Sequence, residues 1–152
     1  MATRFPLQSL LDHSRHRMEA AERLLRILKR KEEAARQRLD ELQGYKRDYQ
    51  QRLTGEAGAR GMQIHLLRDY HAFLGKLEIA IRHQENEVAQ ATAHWKSAHD
   101  HWLALRQKVK AYEALADRHR HQEIQREEKR DQRVTDEQAA RRHSGGSGNT
   151  MI

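Results

Sequence analysis

Residues 63–116 read QIHLLRDYHAFLGKLEIAIRHQENEVAQATAHWKSAHDHWLALRQKVKAYEALA, and the spacing of their apolar side chains decides the fold. Gln63, Leu67, Tyr70, Leu74, Leu77, Ile81, Gln84, Val88, Ala91, Trp95, Ala98, Trp102, Leu105, Val109, Tyr112 and Ala116 follow one another at steps of 3 and 4 in alternation. A repeat of about 3.5 residues held over so many turns specifies a left-handed coiled coil rather than a globular amphipathic helix. Upstream, Leu7, Leu11, Ser14, Met18, Ala21, Leu25, Leu28, Glu32, Ala35, Leu39, Leu42, Lys46, Tyr49 and Leu53 keep the same rhythm, with only Ser14, Glu32 and Lys46 polar. Between the two seams lies Thr54-Gly55-Glu56-Ala57-Gly58-Ala59-Arg60-Gly61, whose glycines favour a turn.

This pattern predicts an all-α fold: a long two-helix antiparallel coiled-coil hairpin with a C-terminal helical overhang and a disordered tail. The first helix is expected over about 6–54, starting at Pro6, which suits a first helical turn. The turn is expected at 55–61 and the second helix over about 62–142. Residues 1–142 then form the hairpin, and 143–152, containing Ser144-Gly145-Gly146-Ser147-Gly148-Asn149, form a flexible tail. If the chain folds back at the glycines, facing seam residues have numbers with a constant total. A total of 116 sets Ala21 against Trp95, Met18 against Ala98, Ser14 against Trp102 and Glu32 against Gln84. Large then faces small, and the Glu32–Gln84 layer is the one in which both members are polar. The alternative is two independent seams, each pairing with another chain. Under a total of 116 Ala116 has no partner, so Asp117–Arg142 is expected as an overhang supported by pairs such as Glu123–Arg126 and Glu127–Arg130.

Composition limits function. The 152 residues are 34% charged and 5% aromatic with one proline, so they bury a narrow seam rather than a core with a deep cleft. Without cysteine there is no disulfide, Cys-ligated zinc or thiol nucleophile. No apolar run reaches the ~18 residues of a membrane span and the N-terminal stretch lacks a signal-peptide core, so the cytosol is the expected compartment. None of the eleven histidines has another four residues on, and pairs such as His99–His101 point to different helix faces. The glycine cluster contains no GK[ST] and is read as a hinge, not a phosphate loop. Paired carboxylates such as Glu32–Glu33 have nothing to raise a pKa. No enzyme activity, cofactor or metal is expected.

Two surface features remain. Arg15–Arg38 carries nine Lys/Arg against four Asp/Glu, within a chain of net charge +7, which is either a solvated face or an anion-docking one. Tyr45, Phe73 and Ala80 form apolar positions off the seam near the turn, next to Leu42, Tyr49 and Leu77; exposing Tyr and Phe suggests contact with a partner.

Leu7-x-x-Leu10-Leu11, Gly44-Tyr45-x-x-x-Tyr49, Phe73-x-x-x-Leu77-x-x-Ala80-Ile81-x-x-Gln84, the Trp95/Trp102 pair and the late Asp131–Glu137 run together resemble the flagellar export protein FliJ family over about residues 5–142. The resemblance implies a component of the flagellar type III export apparatus, cytoplasmic and peripheral at the cytoplasmic face of the inner membrane when assembled. It implies a stalk-like protein that enters the hexameric export ATPase FliI, contacts the export gate protein FlhA and exchanges with export chaperones, as a monomeric hairpin when free. On this basis Leu42, Tyr45, Tyr49, Phe73, Leu77, Ala80 and Gln84 are candidates for the gate contact. Arg15, Arg17, Arg118 and Arg120 are candidates for contacts with acidic ATPase loops. Gly75 departs from the better helix former expected within the gate-contacting stretch. The alternative reading is a basic coiled-coil nucleic-acid binder or structural scaffold. Charge favours it, yet no aromatic platform, helix-turn-helix or basic region leading into a parallel zipper is present, so no specific nucleic acid is expected.

Overall fold

The computed structural model describes residues 3–60 and 63–146. Two helices account for nearly all of them: α1, Gln8–Arg60, of 53 residues, and α2, Ile64–Gly146, of 83 residues. Among the described residues there is no strand. The first turn of α1 is closed by Gln8 N–H donating to the Phe5 carbonyl at 3.1 Å and Leu11 N–H to that of Leu7 at 3.0 Å. Pro6 stands just before it, where no N–H is required.

The helices pack antiparallel in two compact units. One unit comprises Met1–Met18 with Leu105–Ile152, the other Glu19–Ala104. In the first, Leu11, Leu105 and Val109 are buried, at 2%, 8% and 3% exposure. In the second, Ala21, Leu74, Leu77, Ile81 and Val88 are buried. Every seam residue from Leu7 to Leu53 is buried or half-buried, and so is every one from Leu67 to Ala116; Gln63, just before α2, is exposed. Each fully buried aliphatic side chain contributes about 1.5–3 kcal/mol, so the seam alone supplies the driving force for pairing.

The register differs from the expected one by a full heptad. In the second unit Glu22 bonds Trp102, Lys29 lies over Trp95 and Lys46 pairs with Glu78. In the first, Phe5 packs on His119. The numbers in each of these four pairs total 124. Gln84–Ala35 and Tyr49–Tyr70, at 119, and Arg15–Glu113 and Arg36–Thr92, at 128, reach about a turn to either side. The total that keeps seam facing seam nearest these values is 123, seven above 116. Ala21 thus stands opposite Trp102, Leu28 opposite Trp95 and Ala35 opposite Val88. α1 runs through Gly55 and Gly58 to Arg60 instead of ending at Thr54. Each glycine costs a helix roughly 1 kcal/mol, too little to stop one whose neighbours Glu56, Ala57 and Ala59 are good helix formers. The longer register also gives Tyr112 and Ala116 the partners Leu11 and Leu7; a total of 116 would have left Tyr112 facing Arg4.

The same shift moves the start of the overhang. His119 is half-buried against Phe5 and Glu123 is only 4% exposed, so pairing continues past Asp117. From Ile124 to Gly145 every side chain is exposed, which makes this stretch the unpaired part of α2. The helix also includes residues 143–146 of the expected tail, and the remainder of that tail lies outside the described residues.

Glu32 and Gln84, expected to share a layer, are satisfied separately. Gln84, 7% exposed, donates from Nε2 to the Ala35 carbonyl at 3.0 Å. Glu32, 5% exposed, accepts from Arg36 Nε at 2.9 Å with Lys29 Nζ at 3.9 Å, while its Oε2 has no hydrogen-bond partner.

Candidate functional site

The chemistry of each unit follows from its flanking columns. With the seam at heptad positions a and d, Arg36–Thr92 and Lys46–Glu78 mark the e side of the second unit. Tyr45, Phe73 and Ala80 all fall at g, on the other side, with Phe73 and Ala80 one heptad, about 10 Å, apart. Tyr45 is 56% and Phe73 42% exposed, and Ala80 is half-buried. Phe73 is not detached from the packing, however. Its ring lies 4.5 Å from that of the half-buried Tyr49 at 31°, and Tyr49 also meets Tyr70 at 5.9 Å. The outcome is an aromatic ledge in which Tyr45 is the most exposed member. Leu42 is half-buried, whereas Leu77 and Gln84, each 7% exposed, are buried in the seam. Gly75 lies away from it, beside Gln50, Leu53 and His71, and a Cβ there would meet nothing within 4 Å.

The four candidate arginines all belong to the first unit. Arg15 and Arg120 line one groove with Gln8, Leu11, Glu113, Ala116 and Asp117, of about 320 Å³. Both are partly neutralised there: Arg15 pairs with Glu113 at 3.3 Å and Arg120 with Asp117 at 3.2 Å. Arg17 and Arg118 are exposed and outside the groove, so the four do not form one cluster.

Sequence reasoning missed the contact made by the residues before α1. Thr3 Oγ1 donates to Glu123 Oε1 at 2.7 Å and Thr3 N–H to Oε2 at 3.4 Å. Phe5 meets His119 with centroids 5.6 Å apart. The Thr3 hydroxyl bond, with lesser help from the Thr3 amide, Arg126 and His119, holds the Glu123 carboxyl below its ordinary range against the opposing effect of burial. The signal was present: the seam spacing runs on through His119 and Glu123, polar residues that call for polar partners.

The two tryptophans are similarly braced. His99 sits between the Trp95 and Trp102 rings, at 5.3 and 5.7 Å, and Trp102 Nε1 donates to Glu22 at 3.2 Å. Among the described residues no three His, Asp or Glu side chains gather as metal ligands would, and no helix is long and apolar enough to cross a membrane.

Compared with known proteins, residues 3–148 match the model of a family described as "Flagellar FliJ protein". The chain is similar to the Flagellar FliJ protein of Salmonella typhi, 28% identical over 141 residues that cover 93% of this chain and 95% of the relative. It has the same identity and coverage with the Flagellar FliJ protein of Escherichia coli strain K12. No solved structure gives a significant match.

Proposed function

Because the chain belongs to the flagellar FliJ protein family, we propose that it is a non-enzymatic coiled-coil component of flagellar type III protein export. In this reading it links the hexameric export ATPase FliI to the export gate protein FlhA and exchanges with export chaperones. It works at the cytoplasmic face of the inner membrane. The observation that carries the reading is the aromatic ledge. A coiled coil gains nothing from leaving Tyr45 and Phe73 in water, and the Phe73 ring, held against Tyr49, suits an interface anchor. The gate contact is accordingly assigned to Tyr45, Tyr49 and Phe73, with Ala80 allowing close approach.

The ATPase contact is assigned to the first unit. Arg17 and Arg118 make no ion pair among the described residues and are open to acidic loops, while Arg15 and Arg120 would first have to leave Glu113 and Asp117. Co-purification with the export ATPase followed by an activity assay tests this assignment. Wild-type protein should stimulate ATP hydrolysis, and Arg17→Glu combined with Arg118→Glu should reduce it. Stimulation unchanged by the double substitution would rule the assignment out.

A further inference from the structure

In the second unit a basic and apolar strip of α1 covers the outward columns f and c and the flanking column g, where Lys31 shares a groove with Glu87 of α2. Heptad columns f, c and g between Ala20 and Arg38 contain Ala20, Arg23, Leu24, Ile27, Arg30, Lys31, Ala34, Gln37 and Arg38, and every one is exposed. Leu24 and Ile27 are 49% and 48% exposed. No carboxylate occurs in these columns. Glu22 bonds Trp102, Glu32 is buried in the seam, and Glu33 sits one column over, three residues from Arg30, with no ion pair among the described residues. Among the described residues none of Arg23, Arg30, Lys31 and Arg38 is in an ion pair, unlike their neighbours Lys29 and Arg36, which serve Glu32. The strip runs about 27 Å along the helix at 1.5 Å per residue.

We propose that this strip is a binding surface for anionic phospholipid, on which α1 lies parallel to the bilayer plane. Unpaired cations and bare aliphatic side chains in the same columns match an interface that is phosphate above and acyl chain below. Arg23, Arg30, Lys31 and Arg38 meet headgroup phosphates, and Leu24 and Ile27 reach the acyl boundary between them. A nucleic-acid duplex would satisfy the same cations but offers nothing to Leu24 and Ile27. This lipid contact is separate from the aromatic ledge and does not depend on the assignment of the gate or the ATPase.

Co-sedimentation of the full chain with vesicles tests the proposal. Vesicles of phosphatidylcholine alone are compared with equal parts phosphatidylcholine and phosphatidylglycerol. Wild-type protein should bind the mixed vesicles and not the neutral ones. Replacing Arg23, Arg30 and Lys31 by Gln should weaken binding roughly 100-fold, since each cation near an anionic surface contributes about fivefold. Replacing Leu24 and Ile27 by Ser, which leaves charge unaltered, should weaken it roughly 10-fold. As a control, Lys76, Arg82 and Lys96 are equally exposed on α2, and their replacement by Gln should change binding less than threefold. Melting followed by circular dichroism should be unchanged in all three variants, because every substituted side chain is exposed. Three results would overturn the proposal: no preference for the mixed vesicles, a Leu24/Ile27 variant that binds as wild type, or a control variant as weak as the Arg23/Arg30/Lys31 one. The second would show attraction to phosphate alone, as for a nucleic acid, and the third a response to net charge.

Discussion

A cysteine pair placed across the seam distinguishes the observed register from its nearest competitor. The chain has no cysteine of its own, so no background thiol interferes. A facing total of 123 sets Ala35 opposite Val88; a total of 116 would set Leu28 there instead. Ala35→Cys with Val88→Cys changes little volume at either position. A disulfide needs Cα atoms roughly 4.4–6.8 Å apart, a separation open to facing seam residues. Moving one helix by seven residues displaces it about 10 Å along the axis, so Leu28→Cys with Val88→Cys leaves thiols too far apart to bond. Mild oxidation should therefore give one intramolecular bond in the first variant and none in the second, read as a mobility shift on non-reducing gels and confirmed by mass. Closing a loop of about 53 residues should raise stability toward new denaturant by roughly 4 kcal/mol on the chain-entropy estimate. Efficient bonding of the Leu28/Val88 variant would refute the observed register, and bonding only between chains would refute the hairpin itself.

Three further outcomes follow from particular residues. Gly75→Ala should stabilise the protein by about 0.5–1 kcal/mol in urea unfolding, because a Cβ there meets nothing within 4 Å and only helix propensity changes. Glu32→Leu should stabilise by about 1 kcal/mol, since it removes a carboxylate that is 5% exposed and whose Oε2 lacks a hydrogen-bond partner; a drop in melting temperature would show the Arg36 and Lys29 contacts to be worth more than the desolvation. Glu123 is held below its ordinary value in the folded chain, so its contribution is fully present above the unfolded carboxylate pKa and fades as pH falls through the lower folded value. The protection of the Thr3 amide, its exchange rate taken relative to that of an unfolded peptide at the same pH, should fall over that acid range, and in Glu123→Gln this protection should no longer change with pH.

The seam was legible because a repeat of about 3.5 residues survives any local exception, and Ser14, Glu32 and Gln84 keep their seam places although polar. The register was not, for a reason specific to heptads: a slide of seven returns every a and d position to an equivalent one. Layer volume does not separate the two solutions here. Ala21 faces a tryptophan in both, Trp95 in one and Trp102 in the other. The turn could have decided the matter, but glycines within a run of good helix formers weaken α1 without ending it, and the break falls later. For the surface, the placing of Tyr45, Phe73 and Ala80 on one flank was readable from their offset to the seam. The stacking of Phe73 on Tyr49 was not, because it depends on where the opposite helix stands. The Thr3 and Phe5 contacts left a trace in the seam spacing that runs on through His119 and Glu123, but under the shorter register those two residues had no partners to meet.

Titration of the full chain against the cytoplasmic part of the export gate, with wild type beside Tyr45→Ala, tests the central functional claim most directly. Tyr45 is the most exposed ring of the ledge, at 56%, so its removal leaves the seam intact and separates binding from stability. If the ledge is the gate contact, Tyr45→Ala should bind about 10-fold or more weakly, at an unchanged melting temperature and with ATPase stimulation retained. Equal affinity of the two proteins for the gate would contradict the account.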